Sequence, residues 1–335
     1  MNQSSNTTTQ GNKDKIEGVI RAAIACATVL GLWAIIGNTI SLVIFLKTKS
    51  LRRRRSNYLL VNLCIADFLV GLNCLFHGIG FLRTLLSGRF RKGAFEVFLS
   101  SLELFSSFSS VNFLASVSLE RLVAVAFPFY HRATGKTFYG LLIGTPWVVA
   151  VISTVTTSVG YLTSLIPLAI RRTLFVIYVS LPLLIMSAAY TVIMIRSRTS
   201  HINGNGARER LRDKKLAVTL LIVTLASLVT WLPSNYYLVI HRLYFSFYNL
   251  NIVYMALLFL QYSNSCINIV VYAWRIPEFK QVLFRHKPVV ANVQGRAGEW
   301  NAGRRQRALA EPIEMHHMQR GEHNQIDVQL DENQA

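Results

Sequence analysis

Residues 116–129 read SVSLERLVAVAFPF, an apolar run broken by the adjacent opposite charges of Glu120 and Arg121. On a soluble helix such a pair is an ordinary surface feature. At the centre of a bilayer a single charge costs about 2.5–3.5 kcal/mol on insertion scales. The reading of the pair therefore depends on its surroundings, and the fold follows from that reading.

The surroundings are apolar. Of 335 residues, 52% are hydrophobic and only 15% charged, against about 25% charged in an ordinary soluble domain. The mean hydropathy is +0.37. Seven stretches approach the roughly 20 residues that cross a bilayer: approximately 19–46, 57–82, 94–127, 138–160, 173–195, 216–240 and 249–274. They lack the polar face that a soluble helix would present. The chain thus reads as an all-α membrane protein that crosses the bilayer seven times.

Orientation follows from Lys and Arg. Of the 35, 25 fall on one side, in the connections 47–55, 121–136 and 196–215 and from Arg275 onward. The basic side is expected to be cytoplasmic, with the amino terminus outside and the carboxyl terminus inside. The net charge of +19 then faces anionic lipid and cytosolic partners rather than nucleic acid. Residues 1–15 are polar and carry no signal-peptide pattern, so the first span is expected to act as its own anchor. Asn2-Gln-Ser and Asn6-Thr-Thr are glycosylation sequons on the outer side, which agrees with that topology. Cys26, Cys64, Cys74 and Cys266 all lie within spans and read as small buried hydrophobes. From 288 the chain turns polar, as a disordered tail would.

Polar residues inside spans carry the functional information. The third span holds Glu103, Ser106, Ser107, Ser110, Asn112, Glu120 and Arg121. Glu103 and Arg121 are 18 residues apart, five helical turns, so they share a face about 27 Å apart along the axis. Asp213 and Trp231, at the sixth span, have the same separation. The third span runs inward and the sixth outward, so side by side Arg121 meets Asp213 at the inner end. Glu103 then lies level with Trp231 near the outer end. The opening pair thus sits where its helix leaves the membrane, within reach of water or a partner. A charge cluster there would close an inner cleft, and its rupture would open one. Pro233, two residues from Trp231, and Pro182 in the fifth span remove backbone donors and mark candidate hinges.

In order along the chain, these residues resemble the rhodopsin-like G-protein-coupled receptor family. The resemblance covers about 19–286. Gly37-Asn38 resembles the first-helix asparagine motif and NLCIADF, with Asp67, the second-helix motif. LER at 119–121 is similar to the Asp/Glu-Arg-Tyr motif. Trp147, Pro182 with Tyr190, TWLP at 230–233, NSCINIVVY at 264–272 and RIPEFKQVLF at 275–284 follow in the family's order. The resemblance implies a seven-transmembrane helix bundle over 19–274, an extracellular amino terminus over 1–18, a short amphipathic eighth helix over 275–287 and a cytoplasmic tail over 288–335. It also implies a plasma-membrane receptor, not an enzyme, whose partners are an extracellular ligand, a heterotrimeric G protein and membrane lipids.

Roles carry over residue by residue. Glu120, Arg121, Tyr190, Asp213 and Tyr272 would form the G-protein coupling switch, with Arg121 released from Asp213 and the two tyrosines swinging inward. Asp67, Ser110, Asn264 and Asn268 would form a polar centre able to hold a sodium ion; no other cofactor is implied. Glu103, Ser107, Trp231, Asn235 and Tyr262 would line the ligand site, with Trp231 as its floor.

Departures from the family pattern bear on the ligand. Leu122 replaces the motif tyrosine, Thr230 the usual cysteine, Ile269 the seventh-helix proline and Ser227 an aromatic residue. Glu96 stands at the usual disulfide position, and the connection 161–171 is short and cysteine-free. The missing disulfide resembles the melanocortin, lysophospholipid and cannabinoid receptor group, whose ligands are peptides or lipids. Glu103 with Tyr262 instead resembles the amine-receptor aspartate and its tyrosine, which implies a cationic ligand. Glu103 is compensated either by such a ligand or by an internal partner, for which Arg83 and Arg172 are the candidates. A retinal Schiff base needs a seventh-helix lysine, and 249–274 has none. A transporter, the distant alternative, commonly shows two related halves, and none are found.

Overall fold

Where lipid offers the backbone no hydrogen-bond partner, an apolar chain must satisfy its own amides, and helices do so within one segment. The computed structural model describes residues 2–87, 94–163, 166–199, 222–237 and 252–284, and helices account for nearly all of them. In order they are α1 (Asn2–Lys47), α2 (Lys49–Arg52), α3 (Asn57–Ser87), α4 (Ala94–Ala126), α5 (Pro128–Ala133), α6 (Lys136–Thr163) and α7 (Leu168–Thr199). A helix across 222–237, α8, is followed by α9 (Ile252–Arg275) and α10 (Pro277–Leu283).

Among the described residues six helices are long and apolar enough to cross a membrane: Asp14–Lys47, Asn57–Ser87, Val97–Ala126, Lys136–Gly160, Thr173–Arg196 and Ile252–Arg275. These correspond to six of the seven stretches read from the sequence. Only 222–237 of the expected span 216–240 is described. Large apolar side chains such as Val29, Leu141 and Leu184 point outward, each 65% exposed, as lipid-facing residues do. The chain is a multi-pass membrane protein. It divides into two compact units, Met1–Arg285 and His286–Ala335. The second, with the expected disordered tail, lies outside the described residues.

The short helices have local causes. Pro128 and Pro277 begin α5 and α10, where a missing amide hydrogen costs nothing because first-turn donors are unpaired anyway. Asn57 Nδ2 donates to the Leu51 carbonyl at 2.8 Å and fixes the turn between α2 and α3.

Packing centres on α4, which touches α3, α6 and α7. Val111, Phe113, Phe108, Met186 and Trp231 form the main core cluster. Trp147 of α6 stacks on Phe105 at 5.7 Å between centroids and meets Phe113 edge-on at 5.1 Å. Its Nε1 donates to Asn62 Oδ1 of α3 at 3.1 Å. The helices α1 and α3 approach through small residues, the usual solution in lipid. A Cβ added at Gly71 would lie 2.9 Å from Ala34 Cβ and 3.0 Å from the Gly31 carbonyl oxygen. One at Gly37 would lie 3.2 Å from Ile269 Cγ2. Ile269, which stands where the family carries proline, thus fills the space beside Gly37.

Candidate functional site

Glu103 lies on α4 with no exposed surface. A carboxylate there must recover in hydrogen bonds what it loses in hydration, and three helices supply them. Tyr262 of α9 donates its hydroxyl to Oε2 at 2.7 Å. Asn73 of α3 donates Nδ2 to the same oxygen. Ser107, one turn along α4, donates to Oε1 at 3.0 Å. All three donors are neutral, and among the described residues no cation is paired with Glu103. Arg83, one of the two candidate internal partners, is not there: its guanidinium lies over the Phe95 ring, 5.6 Å from the centroid. Helix geometry gives the reason, since Arg83 is ten residues beyond Asn73 on α3, about 15 Å along the axis. The Arg172 side chain lies outside the described residues.

Trp231 is buried in the main cluster, and among the described residues its Nε1 has no hydrogen-bond partner. Asn235 donates Nδ2 to the Trp231 carbonyl at 2.7 Å, so its donor is turned back on its own helix. Its neighbour Ser234 reaches across to Gln261 Oε1 of α9 at 2.8 Å. Glu103, Ser107 and Tyr262 are thus brought into one network, while Asn235 bonds elsewhere.

A second polar centre surrounds Asp67, also fully buried. Ser110 donates to Oδ1 at 2.6 Å and Asn268 to Oδ2 at 2.6 Å, and Ser265 adds a side-chain interaction. The fourth expected member, Asn264, accepts from Ser227 at 3.2 Å, and its Nδ2 is buried without a hydrogen-bond partner among the described residues. Asn38 donates to the carbonyls of Ala34 and Ser265, at 2.8 and 3.1 Å, tying α1 to α9 beside this centre.

At the far end of α4, Glu120 is 1% exposed. Its Oε1 accepts from His131 Nε2 of α5 at 2.9 Å and from the Tyr139 hydroxyl of α6 at 3.2 Å. Its Oε2 pairs with Arg121 Nε at 3.3 Å. Asp213, the expected partner of Arg121, lies outside the described residues. Tyr190 packs with Leu122, Val125 and Ile193, so Leu122 fills the motif tyrosine's place as an apolar contact between α4 and α7. Tyr272 is held elsewhere, against the rings of Phe45 and Phe279 at 5.4 and 5.9 Å. The two tyrosines occupy separate clusters. The side chains of Asn2 and Asn6 lie outside the described residues.

Asn73, His131, Tyr139 and Ser265 went unread in the sequence. Asn73 offered a signal, a polar residue in the middle of an apolar span. His131 and Tyr139 offered none, because a contact across a short connection has no periodicity.

Residues 37–272 match the family model described as 7 transmembrane receptor (rhodopsin family). The chain belongs to this receptor family. It is therefore a class A G-protein-coupled receptor and not an enzyme, and an extracellular ligand and a G protein are the partners that membership implies. That identity displaces the transporter alternative. The receptor is similar to the Substance-K receptor of Rattus norvegicus, 26% identical over 271 residues, 72% of this chain and 68% of that one. It is similar to the GQ-coupled rhodopsin of Mizuhopecten yessoensis, 27% identical over 302 residues, 78% of this chain and 58% of that one. Adenosine receptor A3 of Ovis aries is 27% identical over 284 residues, 77% of this chain and 87% of the relative.

Proposed function

We propose that this receptor binds a small cationic ligand from outside the cell at Glu103 and activates a heterotrimeric G protein at the Arg121 end of α4. The carrying observation is the environment of Glu103. Its three donors are neutral, and a carboxylate can accept about four hydrogen bonds. From the described residues Oε1 takes only one, and Asn73 Oδ1, on the amide that bonds Oε2, is buried without a hydrogen-bond partner among them. A protonated amine would supply both the missing countercharge and the missing donors, in charge-assisted bonds. Trp231 would lie beneath it, and Ser107 and Tyr262 would orient the carboxylate. The similar receptors, a substance-K receptor, a rhodopsin and an adenosine receptor, do not point to one ligand.

The second reading is an uncharged lipid or a peptide. Its support is that Glu103 already has three internal donors and so can persist without a ligand cation, in a chain with a cysteine-free 161–171 connection. Retinal is the least supported ligand, since α9 has no lysine.

In the proposed topology 222–237 belongs to the sixth of seven crossing helices, α10 lies along the inner membrane surface as the eighth helix, and the basic connections face the cytosol of a plasma-membrane receptor. Arg121, held by Glu120 and Asp213, is the coupling residue, and Tyr190 and Tyr272 leave their present packing to support the open state. The residue types around Asp67 fit a hard cation: a carboxylate, the Ser110 hydroxyl and the amide oxygens of Asn264 and Asn268. Asn268 presents its Nδ2 to Asp67, so sodium requires that amide to turn. When bound, the ion would neutralise Asp67.

The test is guanine-nucleotide exchange in membranes carrying the receptor, read with several G proteins against a panel of cationic and neutral compounds. Exchange driven by protonated amines supports the first reading, and exchange driven only by neutral lipids supports the second. Stoichiometric ion flux without exchange would defeat both.

A further inference from the structure

The seam between α3 and α4 holds two opposite charges at different depths. Glu103 of α4 has three neutral donors and, among the described residues, no cation. Arg83 of α3 is exposed, and among the described residues no acid pairs with it. Its guanidinium is held over the Phe95 ring at the start of α4, 5.6 Å from the centroid. Two helices measure the separation independently. Phe95 precedes Glu103 by eight residues of α4, about 12 Å along the axis; Arg83 follows Asn73, which bonds Glu103, by ten residues of α3, about 15 Å. A guanidinium that stacks by its face keeps its in-plane N–H donors for an acid. The surrounding outer side of the proposed topology is basic: 1–21, 83–96, 161–172 and 241–251 carry ten Lys and Arg against Asp14, Glu17 and Glu96. That field opposes a bare cation on its way to Glu103 and attracts an acidic group.

We infer that the ligand is zwitterionic: its ammonium reaches Glu103, while an acidic group about 12–15 Å away is received by Arg83 at the outer mouth. The inference rests on the cationic reading of Glu103 above and adds the group that the opposite end of the ligand carries. One molecule then compensates both charges, and neither has to be neutralised from within the bundle. An extended peptide spans about 3.3–3.6 Å per residue, so about four residues fit between the two charges with the amino end inward. A carboxylate can take the guanidinium bidentately. The mouth is wet, so this pair adds selectivity and direction of entry more than affinity.

The experiment uses the full-length receptor in lipid nanodiscs, as wild type, R83A, R83E and E103Q. The readout is the shift of the thermal unfolding midpoint with probe concentration, which needs no G protein. The probes are glycine-rich peptides of two to six residues with free amino ends, each made with a carboxylate or an amide end, and phenethylamine as the plain amine. Wild type should hold the four-residue carboxylate about 3- to 10-fold more tightly than its amide, between a solvated ion pair and a bidentate one. The dipeptide should show no such preference, and added salt should shrink it. Arg83 is exposed, so R83A should fold as wild type does. It should lose the preference and hold phenethylamine slightly more tightly, because one outer positive charge is gone. R83E should favour the amide, and E103Q should weaken every probe. A merely structural Arg83 would lower the midpoint without probe and leave the acid-to-amide ratio unchanged. Phenethylamine binding with equal affinity of wild type for acid and amide peptides, or an acid preference that survives in R83A, overturns this inference alone. No shift of wild type with any ammonium probe overturns the cationic reading and the inference together.

Discussion

Replacing Glu103 by glutamine removes one charge and almost no volume, and the structure allows its consequences to be separated. Glu103 Oε2 accepts from Tyr262 and Asn73, and Oε1 from Ser107. Glutamine can keep its oxygen toward Tyr262 and Asn73 and turn its NH2 toward Ser107, whose hydroxyl can accept as well as donate. No buried donor is stranded, so the stability cost is the difference between charged and neutral hydrogen bonds, about 1 kcal/mol. Alanine at the same position would strand three donors at about 1–3 kcal/mol each, and folded receptor would be lost. Glu103→Gln is therefore the informative variant. A cationic agonist that bonds Glu103 should lose about 10- to 100-fold in potency, roughly 1.4–2.7 kcal/mol, while a neutral agonist should lose far less. The assay is a concentration–response curve of nucleotide exchange at matched surface expression, with thermal unfolding of the purified variant as the control. A stable Glu103→Gln receptor with unchanged potency for a cationic agonist would refute the countercharge argument and move the lipid reading ahead.

Four further outcomes are expected. Arg121→Ala should abolish coupling with surface expression retained, and Asp213→Ala should raise ligand-independent exchange by the 1–3 kcal/mol of an ordinary coupling energy; unchanged basal activity in well-expressed Asp213→Ala would count against a lock through that residue. Gly71→Val should destabilise the α1–α3 contact by about 1–3 kcal/mol, since even a Cβ there falls 2.9 Å from Ala34 Cβ, and thermal melting in detergent would register it as a lower midpoint. From Trp274 to Ala335 there is no Ser, Thr or Tyr, so arrestin recruitment is expected to depend on phosphate at Ser197, Thr199 and Ser200, paired with Arg and Lys of the arrestin, or on no phosphate; phosphopeptide mapping of stimulated cells tests this, and recruitment unaffected by replacing all three leaves only the phosphate-free version.

How much of this was legible in the sequence depends on the range of the interaction concerned. Helix positions could be read because they answer to a solvent, and the lipid imposes its length on every span independently of the others. The spans 57–82 and 249–274 therefore needed no knowledge of their neighbours. The pairing of Glu103 with Tyr262 across 159 residues was not written in any local pattern, and it was available only through the family resemblance. Asn73 shows where that route ends. Its amide is buried against Glu103, yet the family pattern carries no role for it, and only the α3–α4 packing brings the two together. His131 lies one step further off, in a connection whose fold is set by Pro128, Arg55 and Glu120 at once. Naming Arg83 among the candidate internal partners of Glu103 met the same physical limit. It paired charges by sign and approximate depth, whereas a buried carboxylate is served by whichever donors the helix faces present, and at this level of the bundle those donors are an amide, a hydroxyl and a phenol. Glu103 is thereby left hydrogen-bonded without a countercharge among the described residues, and that imbalance makes its replacement by glutamine a measurement of the ligand's charge.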